Sequence, residues 1–323
     1  MKVFVTGGAG YIGSICVEQL IDRGDEVVVF DNLSEGHREA VDPRATFIQG
    51  DLNDLASTSL AIKTFAPSAV LHLAANALVG ESMADPGKYF HNNVSGGLNL
   101  LRAMVEHGVN RIVFSSTCAT FGTPERVPID ELAAQNPINP YGESKLIFER
   151  ILHWFHRIHH LAFVTLRYFN VAGASEKYGE DHKTESHLIP RILQVALGQS
   201  NHAEIFGTDF ETPDGTCIRD YVHVRDIASA HLLALSAEGS DSFNLGTGHG
   251  TSIREVLDAC RKVSGHPIPV IESPRRAGDP ARLVASSEKA KRQLHWNPEF
   301  EDIHRIVETA WRWRTAHLNG YSR

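Results

Sequence analysis

An α/β architecture is predicted for this chain: a doubly wound parallel sheet followed by a smaller α/β C-terminal lobe. Three observations predict it. Short apolar, β-branched runs alternate with longer segments of helical period through the first half. The strand runs are nearly continuous in apolar residues, as in Val27-Val28-Val29-Phe30, which marks burial on both faces. A glycine-rich turn lies between the first such run and the first helical segment.

The elements follow in order. Strands are expected at 2–6, 27–30, 47–49, 69–73, 111–116 and 164–168, where apolar and β-branched residues crowd. Helices are expected at 12–23, 55–65, 87–107 and 141–159 from their 3.6-residue period. After Gly173 the character changes. Gly, Pro, Asp and His gather in 174–187 and 207–220, which read as long loops of the functional kind. Further helices are expected at 188–197, 226–237, 252–263, 288–294 and 302–317, and a short strand at 242–245 is expected to return to the main sheet. Trp311, Trp313 and Val307 read as packing residues of the last helix.

With 323 residues the chain has enough surface to bury a large core without staples. Its 42% hydrophobic and 22% charged residues exclude a disordered chain. A net charge of −8 argues against nucleic-acid or membrane-surface partners. No apolar run reaches the length of a membrane span. Lys2 is followed by a glycine-rich turn and then Glu18, so no secretory signal is expected. Cys16, Cys118, Cys217 and Cys260 are scattered, as free thiols of a cytoplasmic protein would be. No metal site is expected. His153, His156, His159 and His160 crowd a helix end, but no carboxylate or cysteine joins them at ligand spacing.

The turn reads Thr6-Gly7-Gly8-Ala9-Gly10-Tyr11-Ile12-Gly13. Gly7, Gly10 and Gly13 permit a tight turn, backbone approach to a pyrophosphate and close helix–strand packing. The helix N-terminus then offers N–H groups and a positive dipole end to phosphate. Asp31 ends the second strand 18 residues after Gly13, where a carboxylate accepts from a ribose 2′-hydroxyl and repels a 2′-phosphate. This favours NAD over its phosphorylated form. Asn32 extends that turn, and Asp51 and Leu52 after the third strand are in range of the adenine. Residues 1–173 are thus expected to form a Rossmann-type NAD-binding domain. Residues 174–323 are expected to form a substrate-binding lobe, partly interleaved, with segments around 220–246 returning to the main domain.

Tyr141 and Lys145 stand at i and i+4 of a predicted helix that Pro140 opens, so phenol and ammonium share a face. A phenol titrates near 10, and bringing it to neutrality takes about 4 kcal/mol of differential stabilisation. A neighbouring lysine and a cationic nicotinamide are sources of it. Ser115, Ser116 and Thr117 close the fifth strand, at the sheet edge where ligands of open α/β sheets bind.

These motifs resemble the extended short-chain dehydrogenase/reductase superfamily, and most closely its sugar-nucleotide 4-epimerases. The resemblance runs over essentially the whole chain, through VTGGAGYIGS (5–14), FDNLSEGH (30–37), HLAANALVGES (72–82), NNVSGG (92–97), VFSSTCATFG (113–122), NPYGESK (139–145), LRYFNVAGA (166–174), SHLIPRILQVALG (186–198), DGTCIRDYVHV (214–224) and RRAGDP (275–280). It implies inversion at C4 of a UDP-hexose, between UDP-galactose and UDP-glucose, through a transient 4-keto sugar. Tyr141 would be the base, Thr117 its partner on the sugar oxygen, and Lys145 the group that binds the nicotinamide ribose and keeps Tyr141 acidic. Cofactor contacts implied are Gly7, Gly10, Tyr11, Ile12, Gly13, Asp31, Asn32, Asp51, Leu52, Leu73, Ala74, Ala75, Asn93, Ser115, Tyr141, Lys145 and Phe169. Substrate contacts implied are Thr117, Tyr141, Asn170, His187, Leu188, Phe206, Arg219, Tyr221, Arg276 and Asp279. A homodimer is implied through the Tyr141 helix, on which Phe148, Ile151, Leu152 and Phe155 are available for packing.

Two positions depart from the common pattern. Ala77 stands where many relatives carry a lysine near the cofactor, and Leu283 stands where residue size gates 2-acetamido sugars. A dehydratase or decarboxylase on the same scaffold is the alternative. The former needs an acid/base pair after the hydroxyl, and the latter a glutamate at the second of the two positions that Cys118 and Ala119 occupy. A non-catalytic NAD-sensing module would not be expected to retain Tyr141 and Lys145.

Overall fold

The computed structural model of the chain describes residues 1–276 and 279–321. Ala277 and Gly278, inside the 275–280 motif, lie outside the described residues. The first half runs β1 (Lys2–Thr6), α1 (Tyr11–Asp22), β2 (Glu26–Asp31), β3 (Thr46–Gln49), α2 (Leu55–Phe65), β4 (Ala69–His72), α3 (Val79–Ala84), α4 (Pro86–Tyr89), a π-helical stretch (Phe90–Gly96), α5 (Gly97–Glu106), β5 (Arg111–Thr117), α6 (Pro140–His159) and β6 (Ala162–Tyr168). The second half runs β7 (Asn170–Ala172), α7 (Leu188–Ala196), β8 (Ala203–Phe206), β9 (Ile218–His223), α8 (Val224–Ser236), β10 (Asp241–Leu245), β11 (Gly250–Ser252), α9 (Ile253–Ser264), β12 (Val270–Ser273), β13 (Arg282–Leu283), α10 (Glu288–Gln293) and α11 (Ile303–Ala316).

Seven strands form one sheet in the order β10-β6-β5-β4-β1-β2-β3. Every pairing in it is parallel. Side chains alternate across the pleat, so each strand feeds two cores. Val3, Val5, Val27, Val29 and Leu71 pack with Ile15, Leu20 and Ile227 of α1 and α8. Phe4, Val28, Phe30, Val70 and Phe114 pack with Ile62, Leu101, Met104, Phe148 and Leu152 of α2, α5 and α6. This two-sided burial explains the unbroken apolar strands of the sequence. The strand order reverses between β1 and β4, which opens a crevice at their carboxyl ends.

The smaller lobe holds two sheets. β9 is flanked by β11 and β13 and also pairs with β7. β8 pairs with β12. Helices α7, α9 and α11 close a third core around Ile192, Val256, Cys260 and Val307. Trp313 is buried and Trp311 packs on that third core, as the sequence indicates.

Two sequence expectations are altered and one holds. The helix expected over 87–107 is interrupted by the π-helical stretch, a local insertion that often marks functional positions. The strand expected to return at 242–245 does so as β10, and α8 packs on α1 beside it. However, β9, inside the segment read as loop and returning chain, belongs to the smaller sheet, as does β7. The reason is tertiary. Residues Ile218–His223 are all buried despite four polar side chains. Asp220 alone accepts from the backbone of Thr247, Gly248 and Ala285 at 2.8–3.1 Å. No local pattern announces partners that distant in sequence.

Candidate active site

The glycine turn forms as its composition demands. Gly7 adopts φ 73°, and a Cβ there would sit 2.5 Å from the Ala74 nitrogen. A Cβ on Gly13 would collide with the Gly7 carbonyl oxygen. Around Gly10, among the described residues, such a Cβ meets only the Gly7 carbonyl at 3.4 Å, so that side of the turn is open. Gly10 also caps α1 with no side-chain hydrogen bond, leaving the first amides of Tyr11, Ile12 and Gly13 for an anion. Leu73, Ala74 and Ala75 form the loop across the crevice, with the Leu73 amide donating to the Thr6 carbonyl at 3.0 Å.

Asp31 is buried and braces the turn. Its carboxylate accepts from the Ala9 amide at 3.0 Å and the Leu33 amide at 2.8 Å. Burial pushes its pKa up, and these two bonds oppose the shift. Asn32 donates to Asp51 at 3.0 Å, which joins the turns after β2 and β3 beside Leu52. The Tyr11 hydroxyl donates to the Gly173 carbonyl at 2.6 Å, tying the glycine turn to the chain after β7. Open space at Gly10, uncapped amides and a carboxylate at the end of β2 fit a dinucleotide such as NAD.

Asn93, in the π-helical stretch, bonds to Asn76 through both its oxygen and its nitrogen, at 2.9 and 3.0 Å. It also donates to Ser144 at 3.0 Å. It therefore locks the loop after β4 to α6.

Helix α6 starts one residue after Asn139, whose side chain accepts from the Gly142 amide at 2.8 Å, and Pro140 occupies its first turn. This sets the phase of Tyr141 and Lys145. The Lys145 ammonium donates to the Ser115 carbonyl at 2.8 Å and lies over the Phe114 ring. Burial pushes its pKa down to about 7, with Glu149 opposing. Burial pushes the Tyr141 phenol up to about 12, and the Thr117 hydroxyl beside it works the other way. Thr117, rather than Lys145, is thus the group that counters burial at the phenol in the protein alone. The Ser115 hydroxyl bonds to Tyr168.

Beneath these groups lies a buried network that the sequence reading missed. Glu149 accepts from Arg167 at 2.6 Å, from Ser116 at 2.6 Å and from Gln135 at 3.1 Å. Its signal was present, because Glu149 follows Lys145 by four residues on the buried face of α6.

On the lobe side, Arg219, Arg276 and Asp279 come together. Arg276 donates to Asp279 at 2.9 Å, and its guanidinium lies 5.1 Å from the Phe206 ring centre. Asp279 is 3.7 Å from Arg219, which donates to the Pro280 carbonyl at 2.8 Å. Two guanidiniums, a carboxylate and an aromatic face suit diphosphate, ribose and base. Leu188 opens α7, and Asn170 lies in β7 opposite Tyr221. The Tyr221 ring packs in the third core, where burial raises its pKa. Phe169 is buried with Phe121, Ile129 and Ala285, and Leu283 packs on the same cluster. His187 lies among Glu180, His182 and Glu185. Ala77 is exposed.

Fold and site together define a nucleotide-dependent enzyme of the Rossmann type. The family model of the NAD dependent epimerase/dehydratase family matches residues 3–246, and the chain belongs to that family. The UDP-glucose 4-epimerase of Lacticaseibacillus casei is 52% identical over 327 residues, covering 99% of each protein. A crystal structure of a UDP-glucose 4-epimerase superposes with a TM-score of 0.98 at 49% identity, covering 100% of both chains. Within the family the chain groups with the UDP-glucose 4-epimerases. The Bifidobacterium longum UDP-glucose 4-epimerase in complex with NAD+ and UDP superposes with a TM-score of 0.95 at 38% identity, over 99% of this chain and 100% of that one.

Proposed function

We propose that this chain interconverts UDP-galactose and UDP-glucose by transient oxidation at C4, with NAD held throughout the cycle. The observation that carries this reading is Tyr141 beside the Thr117 hydroxyl, one helical turn before Lys145, which is anchored on β5 above the crevice. Bound NAD would supply the hydride acceptor and donor for C4, and its positive charge would lower the phenol. Thr117 holds the 4-hydroxyl oxygen, and Tyr141 takes and returns its proton. Lys145 positions the cofactor ribose. Arg219, Arg276 and Asp279 hold the UDP end, leaving the 4-keto hexose free to present its other face.

The dehydratase alternative lacks its machinery. Burial pushes the Cys118 thiol up to about 12, and Ala119 has no titratable group, so neither serves as acid or base near neutrality. Mass spectrometry discriminates: an epimer keeps the substrate mass, whereas elimination loses water.

We infer a homodimer through the Tyr141 helix, α6. The sequence reading offered Phe148 and Leu152 for that contact, yet both are fully buried in the protomer's own core. Trp154 and Ile158 are the apolar side chains that α6 exposes, at 58% and 63%. We also assign the protein to the cytoplasm, supported by four unpaired cysteines, three of them buried. No helix among the described residues is long and apolar enough to cross a membrane.

The test is purification without added cofactor, followed by assay with UDP-galactose. The expected result is UDP-glucose formation and NAD released on denaturation. Tyr141→Phe is expected to lower turnover by roughly 10²–10⁴-fold while NAD content is kept. Unchanged turnover in that variant would reject the assignment of the base.

A further inference from the structure

A cluster of two carboxylates and two imidazoles, beside Leu188, occupies the loop between β7 and α7. Glu180, His182, Glu185 and His187 each turn one ligand-type atom inward, and these four atoms lie within 4.8 Å of one another. His187 Nδ1 is 2.8 Å from Glu180 Oε1 and 3.0 Å from Glu185 Oε1. His182 Nε2 is 3.2 Å from Glu180 Oε1. The two carboxylate side chains are only 8% and 10% exposed. Despite its short approach to Glu180, the buried His182 Nε2 has no hydrogen bond. Four atoms bound tetrahedrally to one ion at 2.0–2.2 Å stand roughly 3.3–3.6 Å apart, so these separations need to open by only a few tenths of an ångström.

We propose that Glu180, His182, Glu185 and His187 form a closed site for a divalent transition metal, zinc by its donor set. Two imidazoles disfavour magnesium and calcium, which take oxygen ligands, and suit zinc. Four protein ligands leave no open position, so the ion is structural rather than catalytic. The spacing Glu-x-His-x-x-Glu-x-His is compact enough for one loop to supply every ligand.

The loop's other contacts say what the ion would hold. The Lys183 ammonium donates to the Leu33 carbonyl at 3.1 Å and to that of Ser34, just after the Asp31 turn. His37 pairs with the Asp181 carbonyl at 2.9 Å, and the Asp181 carboxylate accepts from the Tyr321 amide at 3.0 Å. The Tyr11 ring meets His182 edge-on. His187 directly precedes α7 and Leu188. A bound ion therefore pins one segment between the cofactor turn and the first helix of the substrate lobe.

The experiment uses the full chain with its NAD in place. The protein is treated with EDTA, exchanged into metal-free buffer, equilibrated with Zn²⁺ or Co²⁺, and gel-filtered. Metal content is read by plasma mass spectrometry, and Co²⁺ geometry by visible absorption. The expected result is about one equivalent per chain, an intense tetrahedral Co²⁺ spectrum and a thermal midpoint raised by Zn²⁺. His182→Gln with Glu185→Gln is expected to reduce metal content to the buffer blank and abolish the thermal response, with NAD content verifying the fold. Wild-type protein that retains NAD but no Zn²⁺ or Co²⁺ would mean an ion-paired cluster only and would overturn the proposal. Full metal content in the double variant would overturn it equally.

Discussion

Lys145 on α6 and Ser115 on β5 are joined by a 2.8 Å hydrogen bond from ammonium to backbone carbonyl, inside the protein and away from water. Holding a cation there has a thermodynamic consequence. The folded-state pKa is pushed down to about 7 by burial, whereas an unfolded lysine titrates near 10.4. Between those values the unfolded chain binds the extra proton, so stability rises with pH by up to about 1.4 kcal/mol per unit. Lys145→Met is expected to abolish this rise and to be relatively more stable below pH 7, while cofactor binding weakens. Urea unfolding at pH 7.5 and 9.5 measures the first effect, and released NAD the second.

Thr117→Val keeps the side-chain volume and removes the hydroxyl that counters burial at Tyr141. Loss of a hydrogen bond to a charged group costs about 1.5–3 kcal/mol, so kcat should fall roughly 10- to 150-fold. The phenol pKa should also rise, moving the limb of the pH–rate profile that reports Tyr141 ionisation to higher pH. A kcat profile of both proteins checks the two effects together.

Glu149 and Arg167 form a buried ion pair at 2.6 Å, with side chains 3% and 6% exposed. Removing one partner strands the other charge. Glu149→Ala is expected to cost about 3–5 kcal/mol, whereas Glu149→Leu combined with Arg167→Met should cost less than the single change. Equilibrium urea unfolding of wild type, Glu149→Ala and the double variant measures both costs. A single variant as stable as wild type would contradict the burial argument.

His231 is fully buried, its Nδ1 bonding to the Ile227 carbonyl at 2.8 Å and its Nε2 lacking a partner. Burial pushes its pKa down to about 4, so the folded state resists protonation. Below pH 6.5 the unfolded chain binds the extra proton, and stability falls as pH drops toward 4. His72 and His223, each pushed down to about 3, add to the trend. His231→Leu should flatten the slope by up to about 1.4 kcal/mol per pH unit. Chemical denaturation at pH 5.0 and 6.5 measures the difference.

The sheet was legible because burial on both faces forces apolar residues through the middle of each strand, and β1, β2 and β4 carry that pattern with polar residues only at their ends. The glycine turn was equally legible, since a Cβ at Gly7 or Gly13 has nowhere to go. The lobe was less so. β9 carries Arg219, Asp220, Tyr221 and His223 in full burial, and no short-range pattern separates such a strand from a polar loop. The helix over 87–107 kept its period in sequence, but the inserted π turn depends on Asn93 reaching Asn76 and Ser144.

By itself the sequence determined the strands of the main sheet and their helices, the glycine turn with Asp31, and the placing of Tyr141 and Lys145 on one helix face, because each follows from local sterics or helical period. Tertiary structure alone decided that Glu149 underlies the site, that Arg219, Arg276 and Asp279 converge, and that Phe148 faces inward while Trp154 faces out. Those relations join residues tens of positions apart, or depend on which helix face meets the sheet. They are fixed by how the buried polar groups and the apolar faces find partners once the chain has closed.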